Sequence, residues 1–206
     1  MPKRILVSLL LLLSSVAGHA ETAPQPPATF HRGDDTNWYM GVALGSLTYR
    51  QSNLPNFSLN DYQLIVGKQL NRVIAAEVHV GTGTDDTRLI SGIPTTLSVD
   101  SYVAAFLKAN LTFSMKDADN KRVRLYGLLG GSRVSSTSSD PATTQSGVQT
   151  SVAAGAGLEF FVDNIALQIG FTRYVNASAN NHDYTLDSLH VGVIYQFDDR
   201  QAGNAR

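Results

Sequence analysis

From residue 38 onward the chain alternates. Trp38, Met40, Val42 and Leu44 share one parity, against Tyr39, Gly41, Ala43 and Gly45 on the other. Ile165, Leu167, Ile169 and Phe171 oppose Ala166, Gln168, Gly170 and Thr172, and Leu189, Val191, Val193, Tyr195 and Phe197 oppose His190, Gly192, Ile194 and Gln196. A period of two belongs to a β-strand, whose successive side chains point to opposite faces of the sheet. Eight runs carry the pattern, over approximately 38–50, 61–70, 74–82, 100–113, 122–134, 150–162, 165–175 and 187–197. No convincing amphipathic helix interrupts them.

The connections also alternate. After the second, fourth and sixth runs they are short: Asn71-Arg72-Val73, the charged segment 114–121, and Asp163-Asn164. After the first, third, fifth and seventh they are long and polar: 51–60, 83–99, 135–149 and 176–186. An even-stranded meander collects all the short turns at one end and all the long loops at the other, as outer-membrane barrels do.

Parity decides which solvent each face meets. A soluble sheet would carry long charged side chains on its wet face. Here the less apolar face is mostly Gly, Ala and a few polar groups, which suits the cramped interior of an eight-stranded barrel. The apolar face then turns to lipid, and closure removes the strand edges that hydrocarbon does not tolerate. The expected fold is therefore all-β, an eight-stranded antiparallel up-and-down transmembrane β-barrel. Trp38 and Phe197, at strand ends on the short-turn side, fit an interfacial aromatic girdle.

The N-terminus extends this picture. Lys3 and Arg4 precede an apolar run from Ile5 to Leu13, with Gly18 and Ala20 at small-residue cleavage positions, so residues 1–20 read as a signal peptide. That run is too short to span a bilayer as a helix, which needs roughly 20 residues. Residues 21–37 read as a flexible periplasmic leader, 38–197 as the barrel and 198–206 as a C-terminal tail. With no Cys in the chain, neither disulfides nor lipoprotein attachment is available after export. A formal net charge of -1 with 16% charged residues lacks the basic footprint of a nucleic-acid binder.

The same parity aims Glu77, His79, Lys108, Asn110, Arg124, Glu159, Gln168 and His190 inward. Ionisable groups in a lumen must be paired, and the expected arrangement is a network of Glu77, Lys108, Arg124, Glu159 and Gln168 that plugs it. Glu77 with Glu159 also matches a catalytic carboxylate pair, but a filled lumen admits no sugar. Gly155 and Gly157 form no phosphate loop, because no helix follows them; they allow close interior packing.

The segments WYMGVALGSLTY, GAGLEFFVDNIALQIGFTRY and HVGVIYQF together resemble the small eight-stranded outer-membrane barrels of Gram-negative bacteria, the OmpA-transmembrane and OmpX-like porin family, over roughly residues 38–197. The resemblance implies the outer membrane as location, with its lipid and lipopolysaccharide and the barrel-assembly machinery as partners. In that family a terminal aromatic is the signal read by the machinery. Phe197 matches it, although nine residues follow. Family members set carboxylates of the third and sixth strands against basic residues; Gln168 stands where Arg is the commoner partner, so Lys108 or Arg124 is left to pair with Glu159. The deacylase branch carries a His-x-Ser pair where this chain has Arg173-Tyr174-Val175, and His182 with Ser188 is the remaining Ser/His pairing. No catalytic, cofactor-binding or metal-binding residue is expected. The reading is a non-enzymatic barrel, structural or displaying surface loops for a ligand as OmpX-like adhesins do. The alternatives are a narrow solute channel or a lipid A-modifying barrel enzyme.

Overall fold

A computed structural model describes residues 37–52, 54–114, 121–179 and 182–197. The expected signal peptide, most of the leader and the tail lie outside them. The described residues form nine strands: β1 (Trp38–Gln51), β2 (Phe57–Gln69), β3 (Ile74–Gly83), β4 (Asp85–Ile90), β5 (Ile93–Ser114), β6 (Lys121–Ser139), β7 (Thr144–Val162), β8 (Ile165–Ala179) and β9 (His182–Gln196). All pairings are antiparallel. The order β3-β2-β1-β9-β8-β7-β6-β5 closes on itself through β3–β5, from Ile74↔Ala109 to Gly81↔Tyr102. This is the expected eight-stranded ring, with β4 as a ninth strand outside it.

The difference from expectation lies in the long connections, much of which is strand. The segment 83–99 folds back on itself as β4 and the first part of β5, from Asp85↔Ser98 to Ile90↔Ile93. Its turn is Ser91-Gly92, at φ 52° and 84°, the two left-handed positions of a type I′ hairpin. The segment 135–149 continues the β6–β7 ladder as far as Ser139↔Thr144. Strands β4, β5, β6 and β7 thus run on past the ring as a four-stranded sheet. A register shift at Val99/Ser101 marks the passage in β5, and bulges of this kind bend a strand at a barrel rim. At the other end the two turns among the described residues are tight, the expected turn at 114–121 lying mostly outside them: Asn71 Oδ1 accepts from the N–H groups of Val73 (2.9 Å) and Ile74 (2.8 Å), while Asp163 takes φ 54°.

The outward face is apolar, with Val42, Leu44, Leu107, Leu129 and Leu189 each more than 60% exposed. That exposure fits acyl chains, because an aqueous surface rarely carries so continuous an apolar belt. The interior is less uniformly small than the sequence pattern implies. Tyr39, Tyr102, Phe106, Tyr126, Phe161 and Tyr174 are all buried inside. Glycine makes the room: the Tyr39 ring occupies the space a side chain at Gly67 would take, Tyr102 that at Gly81, and the Tyr126 hydroxyl that at both Gly157 and Gly170. Two buried apolar clusters result, one around Tyr39, Ile65, Phe161 and Ile194 toward the short turns and one around Leu47, Phe57, Tyr102, Leu128 and Tyr174 toward the rim.

Candidate functional site in the barrel lumen

Between those clusters lies a charged layer. Alternation alone places Glu77 on β3, Lys108 on β5, Arg124 on β6, Glu159 on β7 and Gln168 on β8, all inward and at most 8% exposed. Lys108 Nζ donates to Glu77 Oε2 (2.7 Å) and Glu159 Oε1 (2.5 Å). Arg124 Nη1 donates to Glu159 Oε2 at 3.2 Å, and Gln168 Nε2 reaches Glu159 Oε1 at 3.4 Å. Strand register explains the convergence, because Arg124 and Gln168 are the direct cross-strand partners of Glu159 on either side. The five residues meet, with Glu159 shared between Lys108 and Arg124. The Tyr39 hydroxyl donates to Glu77 at 2.7 Å, and Lys108 Nζ stands 4.3 Å from the centroid of the Tyr126 ring, a cation–π distance. Two carboxylates and two cations balance within the layer, as burial of charge requires.

Asn110 does not join the charged layer; its amide donates to Gln69 Oε1 at 3.3 Å. His79 does, through Nε2 to Glu77 Oε1 at 2.7 Å. Its Nδ1 lies 2.9 Å from the Tyr174 hydroxyl, so this ring joins the charged layer to a second cluster that the sequence reading missed. There Asp61, 1% exposed, accepts from the Tyr102 hydroxyl (2.6 Å), from Ser188 Oγ (2.5 Å) and from Gln63 Nε2. Asp61 is thus a buried carboxylate held by neutral donors. The available signal was the alternation of Asp61, Gln63 and Ile65 with Tyr62 and Leu64 on β2.

The arrangement also bears on catalysis. Ser188 is buried in the lumen beside Asp61, Gln63 and, at 3.4 Å, His190 Nδ1. Asp61 accepts from the serine instead of orienting the histidine, so the relay of a nucleophile triad is absent. The side chain of His182 lies outside the described residues. Glu77 and Glu159 are bridged by Lys108, which leaves no space between them for a substrate bond. Among the described residues no group of three or more His, Asp or Glu side chains is set to hold a metal ion.

At the short-turn end Phe197 N–H donates to Trp38 O at 2.9 Å, and its ring meets Tyr195 edge to face at 5.2 Å. Lys68 Nζ sits 5.3 Å from the Trp38 ring centroid. The first and last ring strands are thereby tied together where the aromatics lie.

Solved structures of this shape are known. The attachment invasion locus protein Ail of Yersinia pestis matches with a TM-score of 0.56 at 16% identity, over 80% of this chain and 100% of that one. A second Ail structure, in complex with the heparin analogue sucrose octasulfate, matches at 0.52 with the same identity and coverage. Neisserial surface protein A matches at 0.53 and 17% identity, over 78% of this chain and 97% of that one. No curated protein sequence matches. The family model for the outer membrane protein beta-barrel domain matches residues 7–197, and with its closed ring and outward apolar belt the chain belongs to that family.

Proposed function

We propose that the protein is a non-enzymatic outer-membrane barrel with a plugged lumen, exported by its N-terminal signal peptide, that displays its projecting sheet to a surface ligand. One observation carries this reading. β7 pairs with β6 from Thr144 onward, while its backbone pairing with β8 begins only at Ala154↔Arg173 and the Ser151 hydroxyl already bonds the Asn176 backbone of β8. The stretch before it, TQSGVQT, holds no charge and no proline, the devices that normally blunt an edge. An unpaired, uncharged edge accepts an extended segment as an added strand. Below it, the charged layer and the rings of Tyr102 and Tyr174, 4.5 Å apart and tilted by 39°, fill the bore and support a structural rather than a conducting lumen. A sulfated ligand of the kind bound by Ail fits this chain less well. The projecting sheet presents Asp85, Asp86, Asp100 and Asp140 against Arg88, a balance that disfavours a polyanion along the sheet. Phe197 serves as the aromatic read by the barrel-assembly machinery.

The absence of native cysteine permits a direct test. Val148→Cys in intact cells should react with a membrane-impermeant maleimide, and Asp163→Cys at the opposite end should react only after the outer membrane is opened. The reverse pattern would overturn the display reading. Planar-bilayer recordings of the purified protein should show no stepwise current, and sustained conductance would overturn the plug.

A further inference from the structure

Just above the apolar belt, on its lipid-facing side, three charged residues meet. On β8 the outward position two residues past Phe171 is Arg173, on β9 the outward position two residues before Leu189 is Asp187, and on β1 the outward parity of Leu44 and Ser46 continues to Arg50. Arg173 and Asp187 are register partners. Arg173 Nε donates to Asp187 Oδ1 at 2.6 Å and Nη2 to Oδ2 at 3.0 Å, a fork; Arg50 Nη1 donates to the same Oδ2 at 2.7 Å. The carboxylate is covered, with its side chain 4% exposed, whereas the side chains of Arg50 and Arg173 are 50% and 41% exposed. A shift in the β8–β9 register between Arg173 and Val175 turns Tyr174 and Val175 both inward, where they are buried, and leaves Arg173 on the outer wall.

The arithmetic of charge and donors is incomplete. Two guanidiniums against one carboxylate leave a net positive charge, and three hydrogen bonds use a minority of the five N–H donors on each guanidinium. Two cations held side by side by an acid, with spare donors facing out above Phe171, Leu189 and Leu44, match a ligand that is anionic at one end and aliphatic at the other. Guanidinium groups bind phosphate with paired N–H donors. We propose that Arg50 and Arg173, positioned by Asp187, form a site for the phosphate of a lipid in the leaflet at the rim. The proposal rests on the membrane placement of the barrel.

The test is native mass spectrometry of the full chain released from detergent, with lipid A as the phosphorylated probe and phosphatidylcholine as the zwitterionic reference. The unaltered protein should retain lipid A in preference to phosphatidylcholine. Arg50→Gln with Arg173→Gln should weaken that retention about thirtyfold, the order expected for two surface cations. The two Arg→Lys changes together should restore only part of it, because an ammonium supplies the charge without the paired donors, and Arg88→Gln on the projecting hairpin should change nothing. Arg50→Gln alone keeps the Arg173 fork on Asp187 intact, guards against a folding defect, and should cost a few-fold. Heat-modified gel mobility checks closure of each variant. Equal retention by the double Gln variant, or no preference for lipid A, would reduce the triad to a strand clasp and overturn the site. Displacement of lipid A by excess inorganic phosphate would assign the site to free phosphate instead. Failure of the unaltered protein to insert into lipid would overturn the membrane placement itself.

Discussion

Within the ring, β6 turns Leu125 and Leu129 outward and Arg124, Tyr126 and Leu128 inward, and its partner β7 does the same with Leu158 and Phe160 against Glu159 and Phe161. Above the rim the same two strands continue without a break, but Ser135 to Ser139 are half-buried throughout and Thr144 to Val148 all exposed. Backbone pairing is identical in the two regions, from Lys121↔Val162 to Ser139↔Thr144. What changes is the solvent. Hydrocarbon demands one apolar face and confines polar groups to a lumen where they must be paired. Water accepts Ser and Thr on both faces, joined by cross-strand contacts such as Thr137–Ser146 and Ser139–Thr144, both 2.9 Å. A side chain's energetic weight should therefore follow its region more than its chemistry.

The sharpest test is inside the ring. Glu159→Ala removes the shared acceptor of Lys108 and Arg124, and breaking a buried pair costs about 3–5 kcal/mol. Lys108 keeps the carboxylate of Glu77 at 2.7 Å, whereas Arg124 keeps no carboxylate, only Thr112 Oγ1 at 3.4 Å and the Phe161 ring at 4.6 Å. Adding Arg124→Ala should then recover more stability than adding Lys108→Ala, which would strand Glu77 and Arg124 together. Denaturant titrations of the refolded singles and doubles decide it, and equal recovery would remove Arg124 from its place as the dependent partner.

The next test uses equal exposure in unequal solvents. Leu167, Val193 and Val148 are 47%, 50% and 58% exposed. Arg at 167 or 193 should cost roughly 2–4 kcal/mol in a lipid-refolding titration if the site is near the midplane, and Arg at 148 no more than about 0.5 kcal/mol. Similar costs at all three would dissolve the boundary between the regions.

Two smaller effects belong to the sheet. Ser139→Ala should remove one cross-strand pair, worth about 0.2–1 kcal/mol, and should speed amide exchange near Thr144 while leaving barrel refolding unchanged. Asp86 accepts from the Ser58 N–H at 2.9 Å and from Arg88 Nε at 2.8 Å, tying β4 to β2. The Ser58 hydrogen bond, followed by Arg88, holds its carboxyl below the ordinary value of 3.8. A depressed folded value stabilises above the unfolded one and is lost as pH falls through the folded one. Protection of the Ser58 amide should therefore be constant near neutrality and decline below 3.8, and Asp86→Ala should abolish that dependence.

Much of the ring was legible because membrane strands must alternate: Trp38 to Leu44 and Leu189 to Phe197 declare their faces by composition alone. The sheet above was not. In SSTSSDPATTQSGVQ both faces are wet, so the period-two signal vanishes, and the ladder is propagated from the apolar strands below. The Ser91-Gly92 turn did carry a local hairpin signal inside a segment read as loop. For the lumen, parity named the inward residues, but partnership depended on register and on the width of the bore. That is why Glu159 could not be given to Lys108 or Arg124 from sequence, and why Asp61 went unnoticed until Tyr102, Gln63 and Ser188 closed around it.

The unbroken β6–β7 ladder has a mechanical consequence. Nineteen residues at about 3.4 Å each make a rod of roughly 60 Å, rising about 45 Å at a tilt near 40° against an apolar belt about 25 Å tall. Its tip stands some 20 Å clear of the hydrocarbon on a stiff mast, not a tether. A pull applied there along the strands meets hydrogen bonds lying across the load, which must shear together and cannot be peeled one at a time. Force received by the tip is thus handed to the wall of the barrel before the sheet gives way.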